Sequence, residues 1–122
     1  MFRANVYRGV GGLPTFEFGD CLTLAIAGQV FDVVCGPGLK EKAEAHRVAL
    51  AETIMDVPER RTVDSAIEVC RGLTDNLLGT GAFGRIFADR VPRLPDCAEV
   101  LAFVTQEVID HLEMLEAMDD DY

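Results

Sequence analysis

Gly36-Pro37-Gly38 divides this chain into two hydrophobic rhythms, and that division constrains its fold more than any other feature. Upstream, Phe16, Phe18, Leu22, Leu24 and Ile26 alternate with Glu17, Thr23 and Ala25, broken at Gly19 and Asp20. Val30, Phe31, Val33 and Val34 then supply a second run of high strand propensity. Ala27-Gly28 between the two runs reads as a two-residue turn, which predicts an antiparallel hairpin from Leu22 to Cys35. Residues 1 to 13 fit a short strand through Phe2, Asn5, Val6 and Tyr7, with Gly9, Gly11 and Gly12 preventing anything longer. Proline fixes φ and removes a donor, and its flanking glycines allow a sharp change of direction, so the β region ends at the triplet.

Downstream, apolar residues recur every three or four positions. Leu39, Ala43, Leu50, Ile54 and Val57 share one face of a helix running from Leu39 to about Asp56, and Pro58 stops it. Thr62 is a fair N-cap for a second helix with Val63, Ala66, Ile67, Cys70 and Leu77 on its inner face. A short third helix spans Ala82 to Ala88. Pro92 and Pro95 close that segment, and Asp96 with Glu99 suggests a capping box for a fourth helix, Cys97 to about Met118. Its stripe is Cys97, Leu101, Val104, Val108, Leu112 and Leu115, widened by Val100 and Phe103. Such a rod is roughly 33 Å long. Either part of its apolar face lies open for a partner, or it is an ordinary core helix with a frayed end.

Two rhythms in separate halves imply segregated layers. The expected fold class is α+β: an N-terminal antiparallel β-hairpin or small sheet followed by a bundle of about four helices. At 122 residues the chain suffices for one domain and not for two. Residues 1–37 form its β-rich part, 38–118 its helical part and 119–122 an acidic tail.

The net charge of −10 is unevenly placed. Residues 1 to 40 balance, whereas Asp96 to Tyr122 hold nine acids and no Lys or Arg. That distribution repels phosphate backbones and anionic lipid, so no nucleic acid and no membrane is expected as a partner. A basic protein segment suits it better. No apolar run approaches the roughly 20 residues of a membrane span, and no export signal opens the chain, which predicts a cytoplasmic protein. Cys21, Cys35, Cys70 and Cys97 lack the short paired spacing of a zinc site and read as reduced core residues.

Motifs of known chemistry are weak here. Gly79-Thr80-Gly81-Ala82-Phe83-Gly84 matches G-x-G-x-x-G, but the polar end of a helix precedes it where a dinucleotide site needs a buried strand. Its glycines are better read as C-cap and close-approach positions. His46 and His111 have no nucleophile or second ligand at a triad or metal spacing. Glu113 and Glu116 would need a pocket to act as acid and base, and on an acid-only helix they read as a solvated face. Arg85, Arg90 and Arg93, with Arg60 and Arg61 before them, are interleaved with Asp89 and Asp96, which suggests internal ion pairing. Contact with an acidic patch of a second copy is the functional alternative. No catalytic residue, cofactor or metal is expected.

From about Ile67 to Val108 the chain resembles the tail assembly chaperones, small proteins found beside the tape-measure protein in siphophage and prophage tail modules. The matching features are a helix ending Asp75-Asn76-Leu77-Leu78, then Gly79-Thr80-Gly81, Ile86-Phe87, Asp89-Arg90, a linker, Cys97, and a final amphipathic helix with Phe103. Ala88 stands where the family has glycine. The resemblance implies a non-enzymatic protein that holds the tape-measure protein until tail-tube subunits assemble around it. The residues expected to meet a partner are Phe103, Glu107, Asp110, Leu112, Glu113, Leu115, Glu116, Asp119, Asp120 and Asp121, with a homo-oligomer also expected through the same helix. Two other readings stay open: a bacterial cytoplasmic adaptor or regulatory module, and a small enzyme with an unrecognised pocket. Acids after a helix C-terminus oppose its dipole, so the last turn is expected to fray without a partner.

Overall fold

The computed structural model describes residues 5–8, 14–17 and 21–119, with side-chain burial described for 22–118. The architecture is α+β. Strands β1 (Asn5–Arg8) and β2 (Pro14–Glu17) pair antiparallel, Asn5 opposite Glu17 and Arg8 opposite Pro14. Strands β3 (Cys21–Ile26) and β4 (Gln29–Val34) form a second hairpin, from Cys21 opposite Val34 to Ile26 opposite Gln29. The turn is the expected Ala27-Gly28, and both residues have positive φ, 52° and 76°. That handedness matches the twist of the flanking strands, which is why a glycine stands there. The two hairpins are separate two-stranded sheets. Phe16 belongs to β2, and Leu22, Leu24 and Ile26 belong to β3. Phe2, Gly9, Gly11, Gly12, Phe18 and Gly19 lie outside the described residues.

Four helices follow: α1 (Leu39–Met55), α2 (Val63–Leu78), α3 (Ala82–Ile86) and α4 (Leu94–Asp119). Leu24, Ile26, Phe31 and Val33 turn inward from the β3–β4 hairpin, because alternate residues of a strand share a face. They join Ala43 and Leu50 of α1, Cys70 and Leu77 of α2, Phe83 and Ile86 of α3, and Cys97, Leu101, Val104 and Val108 of α4 in one core. Helix α4 packs on both α1 and α2, while β3 meets α4 and β4 meets α2 and α3. Each fully buried Leu or Val of α4 contributes about 1.5–3 kcal/mol against exposure. Among the described residues no helix is long and apolar enough to cross a membrane.

Several boundaries differ from the sequence reading for identifiable reasons. Helix α4 begins at Leu94, and the Arg93 carbonyl accepts the first helical bond from Cys97 N at 2.9 Å. Pro95 is accommodated in the first turn, where its missing N–H costs no helical bond. Asp96 is thus inside the helix and forms no capping box; it accepts instead from Arg90 Nη2 at 3.2 Å. Thr62 does cap α2, its hydroxyl accepting from Ser65 N at 3.1 Å. On α1 the buried residue near the end is Thr53 and not Ile54, which is 41% exposed. Thr53 can be buried because its hydroxyl donates to Ala49 O at 2.7 Å within the helix. Helix α3 stops at Ile86, yet Phe87 beyond it stays buried against Phe83, ring centroids 4.7 Å apart.

Candidate functional site: the outer face of the last helix

At 100° per residue the inward stripe of α4 is Cys97, Leu101, Val104, Thr105, Val108 and Ile109, all buried. The opposite face carries Glu99, Phe103, Gln106, Asp110 and Met114, all exposed. Phe103 is 43% exposed and Met114 41%, large apolar surface on a face otherwise polar. Phe103 borders an open groove of about 310 Å³ whose other walls are Ala25, Ile26, Ala27, Glu99 and Val100. The tip of the β3–β4 hairpin thus supplies one bank and α4 the other.

The C-terminal half of α4 has a different environment. Leu112 and Leu115 are half-buried and, with Glu116, line a depression of about 240 Å³ against Gly36, Pro37, Gly38, Leu39, Lys40 and Glu41. Lys40 Nζ reaches Glu116 at 3.2 Å and Glu113 at 3.6 Å. The hydrogen bond to Glu116 is the main reason the Lys40 ammonium is held above its ordinary pKa.

The expected partner-binding residues therefore divide. Phe103 is open, and Glu107 is half-buried without an ion pair among the described residues. Asp110 accepts from Gln106 Nε2 at 2.8 Å. Leu112 and Leu115 pack on the start of α1, and Glu113 and Glu116 face Lys40. Asp120 and Asp121 lie outside the described residues, as does the side chain of Asp119. Sequence reasoning missed Lys40, because it stands 76 residues from Glu116 and only helix packing brings the two together. It also missed Glu99 as a bank of the groove.

The glycine motif has a local explanation. Gly79 and Gly81 have φ of 109° and 86°, which side-chain-bearing residues rarely adopt. A Cβ added at Gly79, Gly81 or Gly84 would meet nothing within 4 Å, so the close-approach role expected of these glycines is absent. Asp75 accepts from Phe83 N at 2.8 Å and from Gly81 N at 3.3 Å. A carboxylate of the chain itself thus occupies the amide donors that a bound anion would use.

The remaining candidates differ in their surroundings. His46 Nε2 lies 2.9 Å from Asn76 Oδ1, whereas His111 Nε2 is buried with no hydrogen-bond partner. Cys70 and Cys97 are fully buried and not disulfide-bonded. Burial raises both thiol pKa values, that of Cys97 to about 11 with a smaller contribution from Cys70. Cys35 Sγ donates to Val33 O at 3.7 Å, and the Cys21 side chain lies outside the described residues. Among the described residues no three His, Cys, Asp or Glu gather as metal ligands. Of the basic cluster, Arg90 pairs with Asp96 as expected, but Arg85 lies over the Phe31 ring, 4.6 Å from its centroid, and donates to Gln29 at 3.2 Å. It is held by an aromatic face and an amide, not by an acid.

No protein-family model, curated protein or solved structure matches the chain.

Proposed function

We propose that this chain is a non-enzymatic protein-binding module that acts as a phage or prophage tail assembly chaperone in the bacterial host cytoplasm. In this reading it holds the tape-measure protein through α4 until tube subunits replace it. One observation carries the reading. Helix α4 exposes Phe103 beside an open groove, on a stretch from Asp96 to Tyr122 that holds nine acids and no Lys or Arg. An apolar anchor with a single-sign surround suits recognition of a long amphipathic protein, with charge supplying speed and register and the anchor supplying affinity. The resemblance over Ile67 to Val108 names the partner within that class.

The test is affinity for the tape-measure protein encoded beside this gene, measured at several ionic strengths with the intact chain and with one ending at Met118. Binding that weakens with salt and with truncation is the expected result. No binding at low salt, or a gene neighbourhood without tail proteins, overturns the chaperone assignment.

A further inference from the structure

Phe103 stands midway between two acids on α4, Glu99 one turn before it and Glu107 one turn after it. Neither acid has an ion pair or side-chain hydrogen bond among the described residues. The other acids of α4 between Asp96 and Glu116 are engaged: Asp96 by Arg90, Asp110 by Gln106, Glu113 and Glu116 by Lys40. Asp110 keeps its charge, since Gln106 is a neutral amide, but the two carboxylates with neither an ion pair nor a side-chain hydrogen bond are Glu99 and Glu107, about 12 Å apart, eight residues at 1.5 Å each. Between them lie Phe103 and the groove, with Ala25, Ile26, Ala27 and Val100 as its apolar walls. At about 310 Å³ the groove has room for a large side chain entering from outside.

We propose that this face is the docking site for a basic amphipathic helix. The partner helix places an aliphatic or aromatic residue in the groove and a Lys or Arg about one turn to either side, opposite Glu99 and Glu107. This deepens the protein-binding reading above and rests on it. Charge complementarity selects the occupant: a second copy of this acidic helix would bring carboxylates against carboxylates, whereas bases spaced one turn from an apolar anchor match both. Ion pairs at the rim fix register, and burial of the anchor against Phe103 and Val100 holds the complex.

Two synthetic peptides of about 18 residues, five helical turns, test the proposal. They share composition and net charge, but one carries Lys one turn before and after a central Leu and the other carries those Lys on the opposite helical face. Each is titrated into the intact chain labelled with ¹⁵N. The expected result is perturbation of amides at Ala25–Ala27 and Glu99–Glu107 by the matched peptide, with affinity roughly fivefold weaker for the mismatched one. A similar loss is expected in Glu99→Gln/Glu107→Gln. Ala25→Trp fills the groove from an exposed strand position and is expected to abolish binding with an unchanged circular dichroism spectrum. Equal binding of both peptides, perturbation centred on Leu112–Glu116, or no binding of either overturns the proposal. The two readings separate cleanly: tape-measure binding that survives Ala25→Trp removes this surface and leaves the chaperone, and matched-peptide binding without tape-measure affinity does the reverse.

Discussion

The two halves of α4 share one sequence style, apolar inside and acidic outside, yet they do opposite things. From Cys97 to Ile109 the inner stripe is buried against α1, α2 and the hairpin, and the outer acids Glu99 and Glu107 are left without partners. From Leu112 to Glu116 the apolar residues are only half covered, and the two acids share one cation, Lys40. The lesson is that an acid-only helix is not uniformly available to a basic partner. Which carboxylates are free depends on where the rest of the chain has placed its own cations.

The largest expected effect breaks the buried half. Leu101→Ala should cost about 2–5 kcal/mol in denaturant unfolding, because Leu101 is fully buried and its cavity cannot collapse easily. Leu112→Ala, at a half-buried site, should cost clearly less; equal losses would erase the distinction between the halves. Next in size, Leu112→Asp/Leu115→Asp should detach the end of α4 from Gly36–Leu39. Amide exchange should then lose protection from Leu112 onward and keep it from Leu101 to Ile109. Loss along the whole helix would mean that the two halves unfold as one unit.

A smaller effect belongs to Cys97. Its thiol pKa is raised to about 11 in the fold from the ordinary 9, so between those values the folded state holds more protons than the unfolded state. Stability from this group is complete below pH 9 and is lost as pH rises toward 11. A chain carrying Cys97→Ala should show a shallower alkaline decline than the unsubstituted chain, compared by thermal unfolding from pH 8 to 11. The smallest expected effect is that of Lys40→Met. It leaves the core untouched and should scarcely move the unfolding midpoint, yet it frees Glu113 and Glu116 and should strengthen binding of a basic peptide at low salt. If that affinity is unchanged, the contrast between unpaired and paired acids carries no functional weight.

Local chemistry explains why so much of the architecture was readable beforehand. Ala27-Gly28 is a two-residue turn between β-rich runs, and Pro58, Thr62 and Gly79 end, cap and close helices through their own backbone preferences. The periods of Cys97 to Val108 name the buried stripe of α4 directly. Where local signals compete, reading failed. Asp96 followed by Glu99 looks like a cap, but Pro95 can open a helix as well as end one, and Arg90 recruits Asp96 away from the backbone. Ile54 fits the period of α1 better than Thr53 does, yet a hydroxyl satisfied within its own helix can be buried.

For the candidate site, the residue types were legible and their grouping was not. Phe103, Glu107 and the acids after them stand out in sequence because no Lys or Arg interrupts them. Nothing local joins Ala25–Ala27 to Glu99 and Phe103, or Lys40 to Glu116, because those contacts bridge segments that meet only when the hairpin, α1 and α4 share one core. The sequence by itself determined the element types, the turn at Ala27-Gly28 and the sign of the charge on α4, since each follows from backbone preference, periodicity or composition. Tertiary structure alone decided which acids remain free and where an apolar groove opens, since both depend on distances between residues far apart in the chain.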